Sequence, residues 1–275
     1  MYKLHNGTVV ITGASSDTGV AIAMMFAHCG CERIFVGDAS GPRLEECRKL
    51  VVSQYPSVNF HSRAFDRSRE EDVDNFFATV TKTFGRIDFS VNVVFQAQET
   101  IDVAGRSIEK YDRSYSVYQK GVRTNCSRFC LPVILMVCSQ QAFLIQRALL
   151  RQMLKQEVRA ETECRGSIVN IVEFGPTILL AHNPITAAVA NAVIGLSKTD
   201  AFDYMQDNIR INCIAASEVL TPRAEHKYGE GVFSLRKGRP DDVASTATWI
   251  SSPMSSWLTG MIIPVDGGLH LHSFW

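Results

Sequence analysis

The chain has 275 residues, is 46% hydrophobic and carries a formal net charge of zero at pH 7, enough for one large α/β domain or two small ones. Balanced charge, with both signs mixed along the chain, speaks against a nucleic-acid partner or an acidic membrane surface. The opening M-Y-K-L-H-N-G lacks the apolar core of a secretory signal, and a cytoplasmic protein is expected. In chain order, Thr8–Ile11 reads as a short buried strand, Thr12–Gly19 as a glycine-bearing turn and Val20–Ala27 as a buried helix. Arg33–Gly37 is a second strand, closed by Asp38. Pro42–Tyr55 follows as a helix with proline at its start. Val58–Ala64 is the third strand, and Arg69–Phe84 is a helix with Val73, Phe76, Phe77 and Val80 on one face. Ile87–Val94 is the fourth strand. Helices are expected around Ile108–Val117 and over Phe143–Val158, with a fifth strand at Ser167–Val172. A long helix at Ile185–Met205, a strand at Arg210–Ala215, a helix at Asp241–Ser251 and a strand at Ile262–Val265 complete the chain. Strands and helices alternate across short gaps, so the sheet should be parallel and covered by helices on both faces. No repeat or low-complexity linker divides the chain, which implies one domain over 1–275.

The eight cysteines, at 29, 31, 47, 126, 130, 138, 164 and 213, include no C-x-x-C pair. They read as buried reduced thiols, with no metal site.

The stretch V-V-I-T-G-A-S-S-D-T-G-V at 9–20 places a glycine turn between a strand and a helix. That context presents backbone N–H groups and a helix N-terminus to a pyrophosphate. Gly13, Ser15, Thr18 and Gly19 are the candidate contacts. Asp38, at the end of the second strand, stands where an acid accepts from the adenosine ribose and disfavours a 2′-phosphate, which tilts the choice between NAD and NADP slightly toward NAD. Glycine spacing in this turn would put a third glycine at position 17, where Asp17 stands instead. Its carboxylate either weakens cofactor binding or points away and N-caps a helix that starts at Thr18.

The chain resembles a short-chain dehydrogenase/reductase over nearly its whole length. T-G-A-S-S-x-x-G at 12–19, Asp66, Y-D-R-x-x-x-V at 111–117, G-S-I-V-N-I at 166–171 and I-R-I-N at 209–212 fall in the family's order. So do T-P at 221–222, G-R-P at 238–240 and L-T-G-x-x-I-P-V-D-G-G at 258–268. The resemblance implies an α/β single-domain Rossmann fold with a doubly wound, seven-stranded parallel sheet. It also implies a nicotinamide cofactor, a small-molecule substrate and a homodimer or homotetramer with no integral membrane segment. By the same resemblance Asp66 matches the adenine contact, and Asn92 the first residue of the family's N-N-A-G, here followed by V-V-F. Val219 and Thr221 match the stretch beside the nicotinamide carboxamide, behind Ala216-Ser217 in place of P-G.

The family's catalytic Asn, Ser, Tyr and Lys are all replaced. The alignment puts Tyr118 at the Asn position, Glu173 at the Ser position, Thr186 at the Tyr position and Ala190 at the Lys position. The Thr186 hydroxyl is far too weak an acid to stand in for a Lys-supported phenol. Glu173 is the candidate catalytic residue: a carboxylate at a strand end beside an apolar pocket can work as general acid or base, against the plainer reading of a solvated loop residue. His182, before the long helix, lies where it could approach the pocket, but reads rather as an exposed loop histidine. Two functions follow: a family oxidoreductase acting on a ketone or alcohol of a small apolar metabolite, in secondary metabolism, or a fold without hydride transfer. The latter would be an isomerase, dehydratase or cyclase using Glu173, or an inactive binding protein.

An atypical insertion is expected at about 122–142, between Gly121 and the family-like helix that begins at Phe143. Its apolar run Leu131–Cys138 is too short to span a bilayer. It reads as a hydrophobic flap or membrane-surface contact, or as a retained intron, since Val codons begin with GT and Gln codons can end in AG.

Overall fold

A computed structural model describes residues 4, 6–94, 130–173, 184–217, 236 and 238–271, with the backbone alone at 130–139 and 184–186. Seven strands form one sheet: β1 (Thr8–Thr12), β2 (Arg33–Asp38), β3 (Asn59–Ala64), β4 (Phe89–Val94), β5 (Gly166–Glu173), β6 (Ile209–Ala216) and β7 (Ile262–Val265). Their order is β3-β2-β1-β4-β5-β6-β7, and every pairing is parallel. Six helices are described: α1 (Asp17–His28), α2 (Gly41–Gln54), α3 (Glu70–Phe84), α4 (Cys130–Met153), α5 (Pro184–Asp203) and α6 (Pro240–Ser251).

β1, β2 and β4 to β6 are nearly continuous buried runs because both sheet faces are covered there, whereas the edge strand β3 is mostly exposed. Within each run the side chains still divide by parity. Val9, Ile11, Ile34, Val36, Val91, Val169, Ile171 and Ile214 pack with α1, α2 and α6. Val10, Phe35, Ile168 and Ile211 pack with α3 and α4. α3 shows the sequence logic most simply. Val73, Phe76, Phe77, Val80 and Phe84 form its buried stripe, and Glu70, Glu71 and Asp72 occupy the first turn, where helix N-terminal polarity favours acids.

The I-R-I-N stretch is structural. Arg210 is 6% exposed and donates to the carbonyls of Ile250, Ser251, Ser252, Ser255 and Leu258, closing the end of α6 onto β6. Asn212 donates to the Leu258 carbonyl and accepts from the Met261 N–H, which sets the approach of β7.

Two expectations shift, and one open alternative is decided. The helix expected over Phe143–Val158 runs instead from Cys130 to Met153, so the second half of the expected insertion is helical backbone continuous with the family-like part. Pro132 falls in its first turn, where a missing N–H costs nothing. Of the two readings of Glu173, the strand end and the solvated loop, the structure shows the first. Glu173 is the last residue of β5, half-buried, and registers with Ala216. The helix expected to start at Thr18 starts at Asp17. The helix around Ile108–Val117, Tyr118, the segment 122–129, His182, Val219 and Thr221 lie outside the described residues. Among the described residues Cys29, Cys31, Cys47, Cys164 and Cys213 are buried and in no disulfide. Burial pushes Cys31 and Cys47 up to about 12, and Cys213 up to about 11, which leaves them inert as nucleophiles.

Candidate cofactor and catalytic site

The chain reverses its direction of winding at β1. β2 and β3 lie on one side, and β4 to β7 on the other. Such a switch opens a crevice at the carboxyl ends of the strands, between β1 and β4. The glycine turn fills its floor. Gly13 has φ +77°, and a Cβ there would lie 2.5 Å from the Val93 carbonyl oxygen, so only glycine lets the turn rest against β4. At Gly19 a Cβ would lie 2.6 Å from Ala14 Cα, which keeps α1 close to the end of β1.

The N-cap of α1 is Ser16, not Asp17. Ser16 has extended backbone, φ −81° and ψ 155°, and its hydroxyl accepts from the Gly19 N–H at 3.0 Å. The same hydroxyl donates to the Gly13 carbonyl at 2.8 Å, tying turn and helix together. Asp17 is already helical, as the acid of the first turn. The Thr18 N–H finds no acceptor among the described residues. An open N–H at a helix N-terminus, above a crevice at the switch point, suits a pyrophosphate. A dinucleotide therefore fits this floor, with Asp17 as the opposing charge.

Replacing that charge is expected to tighten dinucleotide binding by about ten-fold, since the Coulomb penalty of a carboxylate near a phosphate is partly screened at a half-exposed position. Fluorescence titration of Asp17→Asn and Asp17→Gly checks this. Unchanged or weaker binding in both would show that Asp17 acts only on the helix.

Ser15 and Asp38 are joined. The Ser15 N–H donates to Asp38 Oδ2 at 3.0 Å, and its hydroxyl donates to the same oxygen. Asp38 Oδ1 accepts from the Ala39 N–H at 2.7 Å. Both residues are cofactor candidates in the sequence, and the structure shows that they hold each other. Arg67, not among those candidates, stands 3.8 Å from Asp38 Oδ1. Asp66 Oδ1 accepts from the Ser68 N–H and hydroxyl at 2.9 and 2.6 Å, which shapes the turn after β3.

The Asn92 side chain points into the protein. It is 2% exposed; its Oδ1 accepts from Thr12 and Ser90, and its Nδ2 donates to Asn170 Oδ1 at 2.8 Å. Asn170 donates in turn to Gln146 on α4 and Ser197 on α5. Gln146 donates to Asp200 at 2.6 Å. A buried polar chain thus runs from β1 to α5, and desolvation raises the carboxyl pKa of Asp200 at its end. The Asn92 side chain is thus taken up inside the sheet, between Thr12 of β1 and Asn170 of β5. The signal in the sequence was an Asn in each of two apolar strands, which pair directly in register.

Of the positions that match the family's catalytic residues, Glu173 and Ala190 have described side chains. Glu173 ends β5 at the carboxyl edge of the sheet. Ala190, in α5, is 2% exposed and packs in an apolar cluster with Val172, Val193 and Cys213. Thr186 lies one turn before Ala190 on the same helix. No group of acids, histidines and cysteines among the described residues could hold a metal ion.

Fold and crevice together define a single-domain Rossmann protein. A family model described as enoyl-(acyl carrier protein) reductase matches residues 134–270. The chain is 28% identical to short-chain dehydrogenase fogB of Aspergillus ruber over 96% of this chain and 97% of that one. It is 28% identical to 3beta-hydroxysteroid dehydrogenase 1 of Eggerthella lenta over 98% and 95%. The crystal structure of levodione reductase superposes with a TM-score of 0.81 at 22% identity, covering 98% of this chain and all of that one. The chain belongs to the short-chain dehydrogenase/reductase family of oxidoreductases.

Proposed function

We propose that this chain is a nicotinamide-dependent oxidoreductase acting on a ketone or alcohol of a small apolar metabolite, without the family's usual proton donor. The observation that carries the reading is the glycine turn locked onto α1 and β4, with Asp38 at the end of β2. Its likeness to a dehydrogenase and a hydroxysteroid dehydrogenase over nearly full length supports the ketone or alcohol class. Gly13, Thr18 and Gly19 would hold the pyrophosphate, Asp38 and Asp66 the adenosine, and Val219 and Thr221 the carboxamide end. Ser15 acts by fixing Asp38. When bound, the cofactor supplies or accepts a hydride.

The proton is the chain's own task. A carbonyl oxygen gains negative charge as hydride arrives, and a nearby acid must neutralise it. With threonine and alanine at positions 186 and 190, Glu173 at the carboxyl edge is the residue assigned to that task. The same carboxylate supports a second reading, a non-redox isomerase, dehydratase or cyclase. We further place the protein in the cytoplasm as a homodimer or homotetramer; no described helix is long and apolar enough to cross a membrane.

The test is a titration with NADH and NADPH followed by a ketone panel read at the nicotinamide absorbance band. NADH is expected to bind more tightly, by less than about ten-fold, because Asp38 disfavours the 2′-phosphate. Slow oxidation of NADH that depends on the ketone supports the redox reading. Ketone or alcohol consumption with no absorbance change supports the non-redox one.

A further inference from the structure

Asp38 does not stand alone at the adenosine end. β1 lies between β2, which ends in Asp38, and β4, which carries Val93. Arg67 leaves the turn after β3 and reaches both. Its Nη1 donates to the Val93 carbonyl at 3.1 Å, and its Nη2 lies 3.8 Å from Asp38 Oδ1. The guanidinium therefore lies across the carboxyl end of β1, beside the glycine turn.

At 3.8 Å the contact with Asp38 is an ion pair without a hydrogen bond. Asp38 is already served by Ser15 and Ala39, so Arg67 adds charge there rather than a hydrogen bond. Its side chain is 23% exposed, which an incoming anion can reach, whereas that of Asp38 is 9% exposed. A planar guanidinium fork suits a phosphate monoester, which accepts from it in pairs. Asp38 repels a 2′-phosphate; Arg67 attracts one at almost the same place.

We propose that Arg67 is the residue that sets the ratio between the two nicotinamide cofactors, by offsetting Asp38 and taking the 2′-phosphate of NADPH. This rests on the cofactor reading above. Without Arg67 the chain would be a strict NADH protein; with it, both cofactors are accepted.

Calorimetric titration of NADH, NADPH and 2′,5′-ADP with wild type, Arg67→Leu and Arg67→Lys tests it. In Arg67→Leu, affinity for NADPH and 2′,5′-ADP is expected to fall by about 10- to 100-fold, the loss of a charge-assisted contact, while NADH changes by less than about three-fold. Arg67→Lys should fall between, since a point charge keeps attraction but not the paired geometry. Wild-type NADPH affinity should also drop more steeply with salt than that of NADH. An NADPH-to-NADH ratio that is the same in wild type and Arg67→Leu overturns the assignment of Arg67 alone. Wild-type protein that binds none of the three nucleotides overturns the cofactor reading beneath it.

Discussion

Thr186→Tyr combined with Ala190→Lys is expected to raise NADH-dependent ketone reduction by about 10²- to 10⁴-fold, the usual worth of a positioned general acid. Both positions lie on α5, one helical turn apart, which aligns the new side chains on one face. A phenol there would donate to the substrate oxygen, and an ammonium one turn on would lower the pKa of that phenol. The obstacle is Ala190 itself. At 2% exposure, among Val172, Val193 and Cys213, an ammonium loses its hydration, so its pKa falls and the protein loses stability. Thr186→Tyr alone is the companion variant, with a smaller gain expected because its phenol keeps an ordinary pKa. Steady-state rates at the nicotinamide band read both. No gain in either variant, with folding and NADH binding intact, would mean that the crevice does not hold cofactor and ketone in hydride-transfer geometry.

Glu173→Gln is expected to lower residual wild-type turnover by about 10²-fold while leaving NADH affinity unchanged. The substitution keeps the shape of the side chain but removes its charge and its titratable proton, and turns one acceptor oxygen into an NH2 donor. Glu173 closes β5 beside Ala216, at the carboxyl edge where the crevice opens. A drop in kcat without a change in cofactor Kd is the signature of a lost acid or base. An equal loss of cofactor binding would instead make Glu173 a structural residue. Brisk wild-type reduction that is indifferent to Glu173→Gln would show that another group delivers the proton.

The sheet was legible in the sequence because apolar runs alternate with helical periods along the whole chain. Gly13 and Gly19 were legible for the same reason, since a strand before and a helix after gave the glycines meaning. The cap, one of two readings open for Asp17, was placed one residue late because Asp and Ser both cap helices, and sequence alone does not say which of two neighbours has the extended backbone. The structure gives that role to Ser16, whose hydroxyl reaches both Gly13 and Gly19. Arg67 was missed because its partners lie in other strands: Asp38 is 29 positions away and Val93 is 26. Register brings them together, and register is a property of the folded sheet. The same holds for Asn92, whose side chain reads as a ligand contact until Asn170 is placed opposite it. Helix α4 was started late because the family pattern resumes at Phe143, whereas the helix begins at Cys130 with Pro132 in its first turn, where proline is tolerated.

The direct test of a retained dinucleotide site is the shift in unfolding free energy with NADH concentration. Ligand that binds only the folded chain stabilises it by RT ln(1 + [L]/Kd), about 2.7 kcal/mol at a hundred-fold excess over Kd. The expected result is a rising, logarithmic stabilisation that steepens to the same slope in Asp17→Gly at lower NADH. A flat response in wild type up to millimolar NADH and NADPH, with the protein folded, would contradict a cofactor site between β1 and β4.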